Sequence, residues 1–550
     1  MTPEELSKAL AECVAAAVND QKFSLAEVPE TVQVERPKNR DHGDWATNIA
    51  MQLARQAKQA PRSLAEALKG YIENLDGVTS VDIAGPGFIN IVLDTAAAGQ
   101  IVPTILEQGD NFGTNDLLKT QKINLEFVSA NPTGPIHVGG VRWAAVGDSL
   151  ARVLQTQGAD VDREYYVNDH GSQIDKFANS LYAAAKGEET PEDGYAGDYI
   201  DDIAKQIVNE NPEILKADKT EAIAEFRAAG LELMLSEIKK SMESFNVPFD
   251  TYFSESSLYE DGSIEKAIEK LKAEGYLYEQ EDAWWLKAEQ FGDDKDRVVI
   301  KSDGKPAYIA GDIGYLENKF DRGYDICFYM LGADHHGYIN RLRAVAQAVS
   351  GTDDKVEVMI GQLVNLIKDG KPYRMSKRAG TIVTLDDLVD LVGTDAARYE
   401  LVRYSVDSPL DMDLDLLQKK SNDNPVFYVQ YAHARTNQVA RNAKAAGVED
   451  NIFKPELLTH PREEELLATL SSYPSVLAGA AKFREPHRVA RYLEKLAGAY
   501  HRWYDSCRVA PKGDEEITDT HRTRLQLSNA TKQVLKNGLN VLGVSAPERM

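Results

Sequence analysis

The stretch SANPTGPIHVGG, Ser129–Gly140, stands between an apolar run, INLEFV, and a segment of helical spacing, VRWAAVGDSLARVLQTQG. Two prolines, three glycines and one histidine at the passage from strand to helix have two readings. One is a tight βα turn, since Gly and Pro punctuate such turns for backbone reasons alone. The other is a phosphate site. Prolines stiffen the turn, glycines let backbone N–H groups approach a ligand, and a helix expected to begin near Val138 offers free donors and the positive end of its dipole. His137 would then stand where it can donate to a phosphate oxygen.

The surrounding sequence makes this turn the first corner of a doubly wound parallel sheet. After the helical segment comes a second apolar strand, REYYVND, giving the β-loop-α-β succession of α/β folds. The runs PAYIAGDIGYL, DICFYMLGADHHGY and VEVMIGQLVNLI suit three further strands buried on both faces. Between them, residues 186–300 read as an insertion, opening on the acidic, turn-rich GEETPEDGYAGDY. Upstream, residues 1–112 form a separate small α/β or α+β unit in which VTSVDIAGPGFINIVLD gives two short strands around Gly85–Gly87. Beyond about Leu410 strands give way to long helical periodicity, so 411–550 is expected to be an all-α bundle and 113–410 the sheet domain.

Composition narrows the role. Hydrophobic residues make 43% and charged residues 27%, and no apolar run approaches the roughly twenty residues of a membrane span. The N-terminal MTPEELSKALAECVAAAV has neither a basic start nor a cleavage-like site, which makes the cytoplasm the expected compartment. Cys13, Cys327 and Cys507 are far apart and form no CxxC pair, so neither a disulfide framework nor a zinc ribbon is expected. A net charge of −25 opposes indiscriminate polyanion binding while leaving room for a local basic face.

A second chemical element, YRMSKRAGT, Tyr373–Thr381, follows the last apolar run. Arg374, Lys377 and Arg378 in one short loop suit a pyrophosphate clamp, and the two motifs together are far more specific than either alone. They resemble the H-x-G-H and K-M-S-K-S signatures of class I aminoacyl-tRNA synthetases, here His137-Val138-Gly139-Gly140 and Arg374-Met375-Ser376-Lys377-Arg378. Gly140 replaces the second histidine, and Arg374 the first lysine. Within that class the chain is similar to the bacterial-type arginyl-tRNA synthetase family. HGDWATNIA, LEFVSANPTGPIHVGG, YYVNDHGSQI, AYIAGDIGYLENKF, LGADHHGY, RMSKRAGT and NPVFYVQYAHAR carry the likeness in order along nearly the whole chain.

The resemblance implies a Rossmann-type catalytic domain, an N-terminal domain touching the tRNA D-loop, a helical anticodon-binding domain, and a monomer. It implies ATP with Mg2+ as co-substrate, no resident metal, and attachment of L-arginine to tRNA through an adenylate. ATP would be held by Pro135, His137, Gly139, Gly140, Gly332, Asp334, Met375, Ser376 and Lys377, with His137 and Lys377 catalytic. Arginine would meet Asn131 at its α-amino group, with Ser129 beside it, and His335 would line its pocket. Glu126, Tyr308 and Asp312 would meet its guanidinium, a planar cation suited to paired carboxylates. Phe88 and Asn90 would contact the D-loop, and Tyr428, Tyr431 and Arg435 the anticodon. A nucleotidyltransferase without tRNA, or a non-catalytic RNA-binding relative, are the rival readings.

Overall fold

The computed structural model describes residues 3–35, 37, 43–94, 98–333, 337–373 and 383–550. Asp334, His335, Met375, Ser376 and Lys377 therefore lie outside the described residues.

The first unit is α+β. Helices Pro3–Asn19, Ile49–Ala57 and Pro61–Glu73 cover an antiparallel sheet of β1 (Trp45–Thr47), β2 (Val78–Ala84) and β3 (Phe88–Leu93), ordered β1-β3-β2. Its apolar core, including Leu10, Leu68, Ile89 and Ile91, is its own. Helix Ile101–Gln108, expected within a unit ending at 112, belongs elsewhere. Ile101, Val102, Ile105 and Phe112 join the main core, Phe112 stacks on Tyr473 at 6.0 Å, and Asn537 donates to the Gly109 carbonyl at 2.9 Å.

The central sheet has five parallel strands. They are β4 (Lys122–Glu126), β5 (Asp160–Val167), β6 (Thr251–Ser254), and, after the small antiparallel sheet β7 (Leu277–Gln280), β8 (Ala283–Leu286) and β9 (Arg297–Ile300), β10 (Ile326–Gly332) and β11 (Val356–Gly361). The order is β11-β10-β4-β5-β6, so the chain reverses direction between β4 and β10. In such a sheet a crevice opens beyond the strand C-termini at the reversal. The turn Ser129–Gly140 sits there, after β4.

Three expectations need correction. Residues 186–300 are not wholly an insertion, because they supply β6, which pairs with β5 as the edge strand. The run AYIAGDIGYL is not a strand but the start of helix Tyr308–Asp321, whose Ile309, Ala310, Ile313 and Leu316 are buried at helical spacing. VEVMIGQLVNLI is two strands: β12 (Val364–Lys368) leaves the main sheet and pairs antiparallel with β13 (Lys371–Pro372) and parallel with β14 (Leu410–Asp413). Beyond β14 the chain is helical, dominated by Pro425–Ala445, His487–Ser506 and Asp519–Val541. This bundle shares one continuous core with the sheet.

The bundle is also joined to the sheet by charge. Asp148, fully buried in helix Val138–Thr156, accepts from Arg152 Nε at 2.7 Å, Arg163 Nε at 3.1 Å and Arg398 Nη2 at 2.6 Å. Arg398 donates further to the carbonyls of Phe245, Asn246 and Leu542, the last just beyond the final helix. Removing one member of a buried charge network strands its partners, at a cost of about 3–5 kcal/mol. Asp148→Ala is therefore expected to lower the thermal midpoint by several degrees, with the sheet and the bundle losing cooperativity together. An unchanged calorimetric transition would show that this carboxylate does not join them.

Candidate active site

The site begins with a strained strand end. Val128 and Ser129 have φ of 69° and 41°, and such conformations in non-glycine residues, the more so in a β-branched one, cluster at functional turns. The turn is then fixed by its neighbours. Tyr165 donates to the Ala130 carbonyl at 2.8 Å, Tyr199 to that of Thr133 at 3.0 Å, and Asn168 Nδ2 to that of Ser129 at 3.2 Å. Asn131 is exposed at its crest.

His137 is the N-cap of helix Val138–Thr156, which begins where the sequence places it. Its Nδ1 accepts from the Gly139 N–H at 3.1 Å, which leaves the ring proton on Nε2, the tautomer able to donate to an anion. A Cβ on Gly139 would lie 2.8 Å from His137 Cε1, so glycine keeps room for this ring. Gly140, which stands in place of a second histidine, has no such constraint: its nearest neighbour would be Ile136 at 3.7 Å.

The described residues just beyond the second motif lie against the first. Val138 N–H donates to the Val383 carbonyl at 3.1 Å and Leu385 N–H to that of Ile136 at 2.7 Å, making a bridge between His137 and Thr384. Thr384 caps helix Leu385–Val392 through a capping box with Asp387. Val383–Leu385 thus pack directly against the His137 turn. Gly332 ends β10 on the same side of the sheet.

Tyr308 and Asp312 lie one helical turn apart rather than on a strand, and their surroundings differ. Tyr308 is 92% exposed, while Asp312 is half-buried and accepts from the Tyr338 hydroxyl at 2.5 Å. Burial, helped by the field of Glu126, pushes the Asp312 carboxyl up to about 6 in spite of Tyr338 and Arg341. Glu126, expected to meet a ligand cation, is engaged within the protein. Its carboxylate already accepts from the buried Lys319 at 2.7 Å and faces the Tyr315 hydroxyl at 2.9 Å. Beneath it Glu164 takes two hydrogen bonds from Arg322, at 2.5 and 3.0 Å. The floor is charge-matched.

The carboxyl that sequence reasoning missed is Glu255, one residue past β6. Burial, then the fields of Asp169 and Asp312, push it up to about 7, and neither it nor Asp312 has an ion pair among the described residues. No local signal marks it: it stands in the polar SESSLYEDGS and gains its surroundings only when β6 joins the sheet.

The expected RNA contacts fall on two surfaces. In β3, Phe88 is half-exposed and Asn90 buried opposite Ala46 and Asp82. In helix Pro425–Ala445, Gln430 and His433 are buried, while Tyr431 and Arg435 line a cavity of about 480 Å³ with Arg441, Tyr504 and Arg549. The Arg435 guanidinium lies 4.7 Å from the Tyr431 ring and 4.6 Å from Tyr504, and Tyr428 packs on His501 at 5.0 Å. Arg488, Arg502 and Arg508 are paired with Glu485, Glu465 and Glu515.

A parallel sheet that reverses direction over a helix-capping His-x-Gly turn, followed by a helical bundle, is the architecture of a class I aminoacyl-tRNA synthetase. Comparisons agree residue range by residue range. Residues 101–437 match the family of class I (R) tRNA synthetase catalytic domains, 4–93 the arginyl-tRNA synthetase N-terminal domain, and 429–550 the DALR anticodon-binding domain. The chain belongs to the arginyl-tRNA synthetase family. It is 58% identical over 554 residues, the full length of both chains, to an arginine–tRNA ligase of Kineococcus radiotolerans. A Campylobacter jejuni structure described as a candidate arginyl-tRNA synthetase superposes with a TM-score of 0.76 at 33% identity, over 83% of this chain and all of that one. Thermus thermophilus arginyl-tRNA synthetase shares the fold, with a TM-score of 0.75 at 21% identity over 99% of this chain and all of that one. The enzyme uses ATP to attach L-arginine to tRNA, through an arginyl-adenylate.

The Gly139 geometry gives a paired test. Gly139→Ala is expected to push the His137 ring off its cap and slow adenylate formation by about 10–100-fold, the scale of a small misplacement of a catalytic group. Gly140→Ala should stay within about twofold of the parent. Single-turnover rates of both variants check this; equal rates would dissociate His137 from the chemistry.

Proposed function

We propose that the arginine pocket is walled by Asp312 and Glu255, with Tyr308 at its mouth, and that Glu126 serves as its charge-matched floor. The observation that carries this reading is the contrast between the two levels. Glu126 and Glu164 are neutralised by Lys319 and Arg322, whereas Asp312 and Glu255 hold raised pKa values and lack ion pairs among the described residues. Two carboxyls that feel each other's field without an ion pair repel when ionised and gain most from a shared cation. A guanidinium spans them with paired donors, which a compact ammonium does not. Ser129 and Asn131, on the catalytic turn, and His335 would take the α-amino end.

ATP would lie over Pro135, His137, Gly139 and Gly140 and the end of β10 at Gly332, with Asp334, Met375, Ser376 and Lys377 completing its site. Mg2+ would arrive with the triphosphate and supply charge neutralisation there. His137 Nε2–H and Lys377 would stabilise charge at the phosphates, so both steps rest on positioning and electrostatics. Phe88 and Asn90 would meet the D-loop, and Tyr428, Tyr431 and Arg435 the anticodon bases, by stacking and hydrogen bonds. One chain carries all of these elements, in keeping with a monomer working in the cytoplasm. No helix among the described residues is long and apolar enough to cross a membrane.

Asp312→Asn is expected to cut arginine charging at least 100-fold and to narrow the gap between arginine and uncharged citrulline, with the KM for ATP little changed. Charging of tRNA with arginine, lysine and citrulline measures it; an unchanged preference would remove Asp312 from the pocket.

The raised carboxyls also fix a pH dependence. Arginine stays cationic throughout, so its binding requires Glu255 and Asp312 ionised. Affinity should be full well above pH 7 and fall as pH drops through about 7 and then about 6, by up to tenfold per unit for each group. Glu255→Gln should weaken binding at pH 8 and remove the upper step. An arginine affinity flat from pH 8 to 5.5 would contradict this.

A further inference from the structure

The loop after β5, Asn168–Gly171, carries an exposed ring that neither the phosphate turn nor the carboxyl pocket uses. The side chains of Asn168 and Asp169 are engaged with the protein. Asn168 binds the Ser129 carbonyl, and Asp169 accepts from Ser254 Oγ at 2.5 Å, from Ser256 N–H at 2.8 Å and from Ser256 Oγ at 3.3 Å. The Asp169 carbonyl accepts from Arg227 at 3.3 Å. Gly171, with φ of 92°, turns the chain into helix Ser172–Lys186. This rigid frame holds out one side chain. His170 is exposed and makes no hydrogen bond with the described residues; its ring lies flat on Tyr259, centroids 4.2 Å apart and planes 13° from parallel.

The stacked pair stands at the rim of the arginine pocket. The Tyr259 hydroxyl lies 3.5 Å from where a Gly311 Cβ would be, beside Asp312, and Glu255 and Asp312 both raise its pKa after burial. At the other end the loop is bonded to the Ser129 turn, beside the expected α-amino site. The phosphate elements, His137 and Gly332, belong to β4 and β10, whereas His170 follows β5 on the far side of β4. One substrate must still reach the activated arginine: the terminal nucleotide of the tRNA, whose ribose accepts it. Its base needs a flat, sequence-tolerant surface close to the arginine carboxyl, and an exposed ring on a fixed backbone offers one.

We propose that the outer face of His170, backed by Tyr259, is the stacking platform for the terminal base of the tRNA acceptor end. This rests on the pocket assignment above for its position, but its test needs neither arginine nor ATP. The affinity of the full-length enzyme is measured for a tRNA that it charges with arginine and for the same tRNA with its terminal nucleotide removed. Stacking on one aromatic ring contributes enough for about a tenfold difference in affinity. The parent should bind the intact tRNA about tenfold more tightly than the shortened one. His170→Ala should bind the two alike, at the parent's affinity for the shortened tRNA, and His170→Phe should restore the difference. A His170→Ala enzyme that keeps the tenfold preference, or that loses affinity equally for both tRNAs, would overturn the proposal. Failure of the pocket assignment would show instead in amino-acid selectivity.

Discussion

A single buried carboxylate, Asp148, holds the catalytic machinery in register. It lies in the middle of the helix whose first turn carries His137 and Gly139, and it binds arginines from three directions: its own helix, β5, and helix Thr394–Arg403. Through Arg398 the same network reaches the Leu542 carbonyl, so the helix behind the active site and the end of the RNA-binding bundle share one anchor. Burying so many charges costs heavily in desolvation, and the cost is met only if every donor finds an acceptor. Three backbone carbonyls do that for Arg398. Such a network offers one well-bonded arrangement, and the catalytic turn inherits its position.

The pocket uses the opposite electrostatic arrangement. Anchors are saturated with partners, while Asp312 and Glu255 are left short of them, and their raised pKa values express the stability forgone. The local rule for a stable interior is broken where, in the proposed pocket, a cationic substrate would complete the set. Glu126 differs from these two in already holding Lys319 at 2.7 Å. Charge compensation sorts these carboxyls into a saturated group, Glu126 and Glu164, and a group without ion pairs among the described residues, Asp312 and Glu255, which the proposed pocket assigns to the ligand.

This sorting explains what the sequence disclosed. The turn Ser129–Gly140 was legible because Pro and Gly chemistry and a helix cap are local properties, and the helix starts at Val138 as expected. The bundle was legible from periodicity over long segments. Helix Tyr308–Asp321 was misread because its first residues form a short apolar run in which helical and strand spacing cannot be told apart. The stretch 186–300 was misread because one four-residue strand, β6, is too short to announce that it returns to the sheet. Glu255, Lys319 and the true surroundings of Glu126 are products of tertiary packing. Each joins elements far apart in the chain, as with Lys319 and Glu126, and no spacing rule reaches that far.

The most direct test of the charge-sorting view is a structure of the enzyme with L-arginine and a non-hydrolysable ATP analogue bound. The expected result is guanidinium nitrogens within about 3 Å of carboxylate oxygens of both Asp312 and Glu255, with Glu126 still on Lys319 and His137 Nε2 facing a phosphate oxygen. A guanidinium seated on Glu126 with Lys319 displaced, or one out of reach of Asp312, would contradict it.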